Sequence, residues 1–299
     1  MDDEKEDSAP QSERDAGANR NAVADYFKLY SQLRIPAIEA LSDSIKEFQF
    51  RVGEITKQFV IPEIKSISLL TSTLGMMAKA NQIRDTKYPA MAENLKEAAE
   101  YCWFDSVLMD FRSREELAFI ADGVDAENRQ HVIETAYADE YRGSFSYLSE
   151  TISSMFPHRA FALNPAYGAH LRGEYALSIP VLLAQAEGIL REITSSELFS
   201  ARPSPIKDFA KKQRDLVTLD NNWLRFSDDA IWAQLSGDLP IGWSQKLRDE
   251  NGYTGFNRNT TLHGIDLHYA TEINSLKAFS LLCHVAGIAE WLEEDDDAK

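Results

Sequence analysis

The sequence predicts an all-α protein: a helical bundle built from an N-terminal helical region and a C-terminal helical domain, with disordered acidic tails. Three observations predict it. Apolar residues recur every three or four positions along most of the chain, and no stretch shows convincing strand-like alternation. Only 14 Gly and 10 Pro among 299 residues leave little material for a strand-and-turn architecture. A hydrophobic content of 44%, with 10% aromatic residues, is enough for a real core.

Residues 1–20, MDDEKEDSAPQSERDAGANR, lack hydrophobic periodicity and read as a solvating, disordered tail. From Ala22 the pattern is helical. Val23, Tyr26, Phe27 and Tyr30 share a face until Ile35-Pro36, where proline pushes its neighbour out of the helical region. Ile38, Leu41, Ile45 and Phe48 resume the period, and a further stripe of Ile64, Ile67, Leu70 and Leu74 follows Pro62. Met76-Met77 and the aromatic YCWF at 101–104 read as core.

Two or three helices are expected between Met91 and Phe156, carried by Leu95, Ala98, Ala99 and Cys102 and later by Val132, Ile133, Ala136, Tyr137 and Tyr141. MFPHRAFALNPAYG, residues 155–168, gathers two prolines, Asn164 and a glycine, and is the expected linker. It divides an N-terminal helical region, 21–165, from a helical domain, 166–292.

That domain opens on the most regular helical stretch, AHLRGEYALSIPVLLAQAEGILREITSSE. Leu171, Tyr175, Ile179, Leu182, Leu183, Ala186, Leu190 and Ile193 form its apolar face, and Pro180 implies a kink. Shorter helices are expected at Ile206–Leu219 and Asp228–Leu235, then a Gly-Tyr-Thr-Gly turn at 252–255. The last helix, from about Thr271 to Leu292, is apolar almost all round and so belongs at the centre of the bundle. Residues 293–299 read as an acidic tail.

The net charge of −17 is concentrated at the ends: residues 1–20 carry −4 and residues 290–299 carry −5, leaving about −8 for the body. Such a body would not hold duplex DNA by charge alone, so any nucleic-acid contact must be local. Cys102 and Cys283 are too far apart and too few for a disulfide framework or a zinc site. MDDEKEDSAP has acids where a secretory signal would be basic, and the longest apolar runs are broken by Gln185, Glu187, His284 and Glu290. A soluble cytoplasmic protein without a membrane partner is the expectation.

Residues 255–270, GFNRNTTLHGIDLHYA, form a polar island before that last helix. Asn257 and Gly264 bracket a short helix with an amino cap and a carboxyl stop. Arg258 and His263 lie five positions apart on it. Arginine is permanently charged and fork-shaped, suited to holding a phosphodiester and stabilising added transition-state charge. Histidine ordinarily titrates near about 6.5, suited to taking a proton from a ribose 2′-hydroxyl or giving one to a leaving oxygen. The spacing alone carries little information. With 17 Arg and 6 His in the chain, about 0.3 such pairs arise by chance at any one spacing, and about 1 over four to six intervening residues.

The wider context carries more. Arg258-Asn259-Thr-Thr-Leu-His263 resembles the Arg, polar residue, spacer, His signature of the HEPN superfamily, helical domains many of which are ribonucleases. The run FNRNTTLHGIDLHYATEINSLKAFSLL resembles a bacterial HEPN-like group, and ALSIPVLLAQAEGIL resembles the helix that precedes it there; together they cover about residues 166–292. The resemblance implies a metal-independent endoribonuclease without cofactor, acting on RNA in a bacterial toxin or phage-defence setting. Arg258 and His263 are then the catalytic pair, Asn259 and Asn257 support them, and a homodimer brings two motifs to one cleft.

Other residues admit plainer roles. Glu187 sits at the edge of its helix's apolar face and is expected to anchor a neighbouring loop, with support of the Arg–His pair as the lesser role. Lys207, Lys211, Lys212 and Arg214 form the compact basic cluster of the body, a solvated face or a track for RNA. His263, Asp266 and His268 do not share a helical face, so no metal site is expected. Tyr269, Glu272 and Asn274 are expected to cap the last helix, with Tyr269 or Thr271 at its start. The alternative function is a non-catalytic helical interaction or RNA-binding module whose N-terminal helices meet a regulatory protein partner.

Overall fold

The computed structural model describes residues 87–199, 205–219, 226–237 and 239–297, and every regular element among them is helical. The expected tail at 1–20, the helical stripes from Val23 to Leu74 and the Met76-Met77 pair lie outside the described residues. So do the last two residues of the acidic tail.

Helix α1, Tyr88–Glu100, has proline in its first turn, where a missing N–H leaves no bond unmade. It buries Met91, Ala92, Leu95, Ala98 and Ala99. The chain then turns through Cys102, at φ 65°, and Cys102, Trp103 and Phe104 are wholly buried, so three of the four YCWF residues are core. Helix α2, Phe111–Ala118, is capped by the Asp110 carboxylate, which accepts from the amides of Arg112 and Ser113 at 3.0 Å each. Helix α3, Ala126–Met155, is capped by Asp125 and buries Ile133, Tyr137, Tyr141, Phe145, Leu148 and Ile152, a stripe at spacings of three and four.

The expected linker at 155–168 is helical instead. Pro157–Arg159 form a 3-10 turn and Ala160–Leu171 form helix α4, with Pro165 inside it. The carbonyl that Pro165 leaves without its helical donor belongs to Phe161, a residue 81% exposed, so the missing bond falls on the solvent side. Leu163, Ala166 and Tyr167 anchor the helix in a core shared by residues on both sides of position 165.

The long helical stretch after it is two pieces. Gly173, at φ 75°, ends α4, and helix α5 runs only over Tyr175–Thr194. Leu171, expected on the apolar face, is 69% exposed as a result. Ile179, Leu182, Leu183, Ala186, Ile189 and Leu190 make the buried face, with Pro180 inside the helix. Helices α6, Pro205–Leu219, and α7, Phe226–Ser236, pack on each other, and α7 packs on α1. Helix α8 is Gln245–Asn251 and helix α9 is Arg258–Leu262.

Helix α10, Glu272–Asp297, packs against both α5 and α3 and is buried on all sides from Ser275 to Ala289, the central helix its composition predicts. It continues into the expected tail as far as Asp297. Polar groups pin the layers together. Gln234 accepts from the Asp105 amide at 2.8 Å and donates to the carbonyls of Leu95 and Trp103 at 2.8 and 3.2 Å. Arg114 donates twice to one buried Asp105 carboxylate oxygen, at 2.9 and 2.7 Å. Among the described residues, no helix is long and apolar enough to cross a membrane.

Candidate functional site

The island is a short helix closed at both ends. Asn257, wholly buried, accepts the Thr260 amide at 3.1 Å and so caps α9. Its side-chain amide donates to the carbonyls of Pro240 and Trp243 at 2.8 and 3.0 Å, tying the helix start to the 3-10 turn Pro240–Gly242. The hydroxyls of Thr260 and Thr261 both donate to the Asn257 carbonyl, at 3.0 and 2.9 Å.

The other end closes through Gly264, at φ 66°. The Gly264 amide donates to Thr261 O at 3.2 Å and the Ile265 amide to Thr260 O at 2.9 Å, the paired bonds of a left-handed helix stop. A side chain at 264 would carry the cost of positive φ. The cap and stop expected from Asn257 and Gly264 are both present.

Arg258 is held on three sides. One terminal nitrogen donates to Asn259 Oδ1 at 3.0 Å, the other donates to Glu187 Oε2 at 3.1 Å, and the guanidinium carbon lies 5.2 Å from the centre of the Phe199 ring. Its Nε is buried without a hydrogen-bond partner among the described residues. Asn259 is itself fixed by donation to Trp243 O at 3.1 Å and Gly242 O at 3.4 Å. The Arg258 and Glu187 side chains are 24% and 27% exposed, so the pair is open to solvent at one edge.

His263 is exposed at the C-cap, and no bond among the described residues engages its ring. Five steps along a helix separate the two side chains by about 140° around its axis. Arg258, Asn259 and Glu187 therefore form one bonded set, and His263 stands outside it on the solvent side. Beside it Leu262, Ile265 and Leu267 are 37%, 61% and 81% exposed. The Tyr269 hydroxyl donates to Ala176 O at 3.2 Å, which brings this segment to the start of α5 near Leu177, itself 61% exposed. Exposed apolar residues thus flank His263 along the chain.

The remaining sequence candidates separate. Lys211 and Lys212 are exposed on α6, Lys207 is half-buried there, and Arg214 donates to Ser236 Oγ at 3.2 Å across the α6–α7 pair. Asp266 accepts the His268 amide at 2.7 Å, a local turn. Among the described residues no group of three or more His, Cys, Asp or Glu is placed to hold a metal ion. Thr271 Oγ1 accepts the Asn274 amide at 3.2 Å, so Thr271 caps α10. Asn274 bonds back to Tyr269 O at 2.9 Å, and Glu272 takes two bonds from Arg142 at 2.9 and 3.1 Å.

Two members of the site have no sequence signal. Phe199 lies in the ARPSP-flanked break before α6, far from Arg258 in sequence, and nothing in its spacing marks it as the ring beneath a guanidinium. Trp243 contributes only its carbonyl, which accepts from both Asn257 and Asn259. Compared with known proteins, the chain matches no family model, no curated protein and no solved structure.

Proposed function

We propose that the island is the active site of a metal-independent endoribonuclease. The observation that carries this reading is the placement of a partly exposed guanidinium, clamped by Asn259, Glu187 and Phe199, at the start of a five-residue helix whose C-cap is an exposed histidine. The Arg–His resemblance to HEPN ribonucleases supports it from the sequence side.

In this reading Arg258 holds the non-bridging oxygens of the scissile phosphate and stabilises their extra charge in the transition state. The ribose 2′-oxygen attacks phosphorus, the bond to the 5′-oxygen breaks, and the products are a 2′,3′-cyclic phosphate and a 5′-hydroxyl. His263 accepts the 2′-hydroxyl proton or donates one to the departing 5′-oxygen. Both transfers are served when a second copy supplies a second His263, and the exposed Leu262, Ile265 and Leu267 beside it offer the apolar surface for a homodimer. Bacterial toxin or phage-defence biology is the setting the resemblance implies.

Purified protein incubated with single-stranded RNA in EDTA tests the assignment. Cleavage is expected, and Arg258→Ala and His263→Ala each reduce it by about a hundred-fold or more. Cleavage unchanged in both variants would overturn the catalytic reading. It would favour the second one, in which the same exposed apolar residues make the island part of a protein-binding face and the N-terminal helices meet a regulatory partner.

A further inference from the structure

An arginine fork carries five N–H groups, all in the plane of the guanidinium. At Arg258 three of them are already out of a substrate's reach: one is given to Asn259, one to Glu187, and the Nε–H is buried. One N–H on each terminal nitrogen is left for a phosphate, which must meet the fork in its own plane. The tilt of that plane therefore decides where a phosphate is held.

The face of the fork rests on Phe199, whose ring centre lies 5.2 Å from the guanidinium carbon. Contact on the face leaves the edge free for an anion. The ring is half-buried, and the chain on either side of the site fixes it. Helix α5, which carries Glu187, ends at Ser195 in a left-handed conformation, φ 55°, and Leu198 then anchors the chain in the core just before Phe199.

Gly242 supplies the other side of the seat. A Cβ there would stand 3.0 Å from Phe199 Cδ1 and 3.7 Å from Cε1, closer than the ring allows without moving. Gly242 is not among the glycines with positive φ, so space rather than backbone conformation accounts for a glycine at this position. Its carbonyl also accepts from Asn259 at 3.4 Å, so one residue touches two of the three supports of Arg258.

We propose that Phe199 is a positioning residue of the ribonuclease site: its ring sets the plane of the Arg258 fork, and Gly242 lacks a side chain so that the ring can sit there. Phe199 acts through Arg258 and not on the substrate. The proposal rests on the ribonuclease reading of Arg258 and His263.

Cleavage kinetics of the full chain in EDTA test it, together with nitrogen-15 NMR of the Arg258 Nε–H, assigned by its loss in Arg258→Lys. Phe199→Leu keeps apolar bulk and loses the ring; kcat is expected to fall about ten-fold while KM changes by less than about two-fold, and the Nε–H signal should move as the ring current is lost. Phe199→Tyr keeps the ring and should restore the rate. Gly242→Ala displaces the ring and should shift the Nε–H signal, whereas Gly143→Ala on α3, where a Cβ meets nothing within 4 Å, should change neither rate nor signal. Phe199→Leu protein that cleaves at the wild-type rate, or that leaves the Nε–H signal in place, overturns the proposal and leaves the catalytic pair standing. A wild-type protein that cleaves no RNA overturns the ribonuclease reading itself, and the positioning role falls with it.

Discussion

Arg258 donates one bond to Asn259 and another to Glu187, so the guanidinium proposed to meet a phosphate already faces a carboxylate. That carboxylate positions the fork and also opposes an incoming anion. The two effects separate by substitution, because glutamine keeps an acceptor oxygen and loses the charge. Glu187→Gln is expected to tighten RNA binding about two- to ten-fold, with a steeper dependence on salt, whereas Glu187→Ala loses the positioning and lowers the cleavage rate. Filter binding and single-turnover cleavage measure the two. At this scale the sequence reading finds the Asn257 cap and the Gly264 stop, because capping chemistry is local. It also places Glu187 as an anchor. Phe199 and the Trp243 carbonyl escape it, since a ring under a guanidinium and a backbone acceptor leave no pattern in residue spacing.

Helix α9 is only five residues long, too short to persist by its own hydrogen bonds, so its neighbours hold it. Asn257 makes the largest contribution through one cap and two buried carbonyl contacts. Asn257→Ala removes all three and leaves the buried Asn257 site without its polar partners, at a cost of about 2 kcal/mol in urea unfolding. The proposed ribonuclease activity should fall with it, because Asn259 and Arg258 start from that cap. The longer helices are legible from composition and stripes: α10 is buried all round from Ser275 to Ala289, and α3 and α5 bury Ile133, Tyr137, Tyr141, Ile179, Leu182, Leu183, Ala186 and Leu190, while Val132, Ala136, Tyr175 and Ile193 stay half-buried. The departures have backbone causes. Gly173 adopts a left-handed conformation and splits a stretch whose apolar period continues across it. Pro165 is tolerated inside α4 because its unpaired carbonyl falls on exposed Phe161, so two prolines do not make a linker.

At the scale of the molecule, two histidines, His170 and His284, are buried in the bundle. His284 is buried on the central helix, its Nδ1 2.6 Å from Asp105 O and its Nε2 without a partner among the described residues. Burial pushes its pKa down from 6.5 to about 4, and burial likewise lowers His170, stacked on Phe145 at 4.2 Å. Between those values the unfolded chain binds a proton at His284 that the native chain does not. Stability is therefore full above about pH 6.5 and falls as the pH drops toward 4, by about 3 kcal/mol from this group. Urea unfolding at several pH values measures the slope, and His284→Gln should flatten it between pH 4 and 6.5. The carboxylates Glu192 and Glu272, held low by Arg159 and Arg142, act in the same sense only below the ordinary carboxylate range.

The ribonuclease account is tested most directly by the ends it leaves on RNA. In EDTA, wild-type protein should generate 2′,3′-cyclic phosphate and 5′-hydroxyl ends. The Arg258→Ala and His263→Ala changes combined should cost little more than either alone, as groups acting on one transition state do. Products bearing 3′-hydroxyl and 5′-phosphate ends, or losses that multiply independently in the double variant, would contradict it.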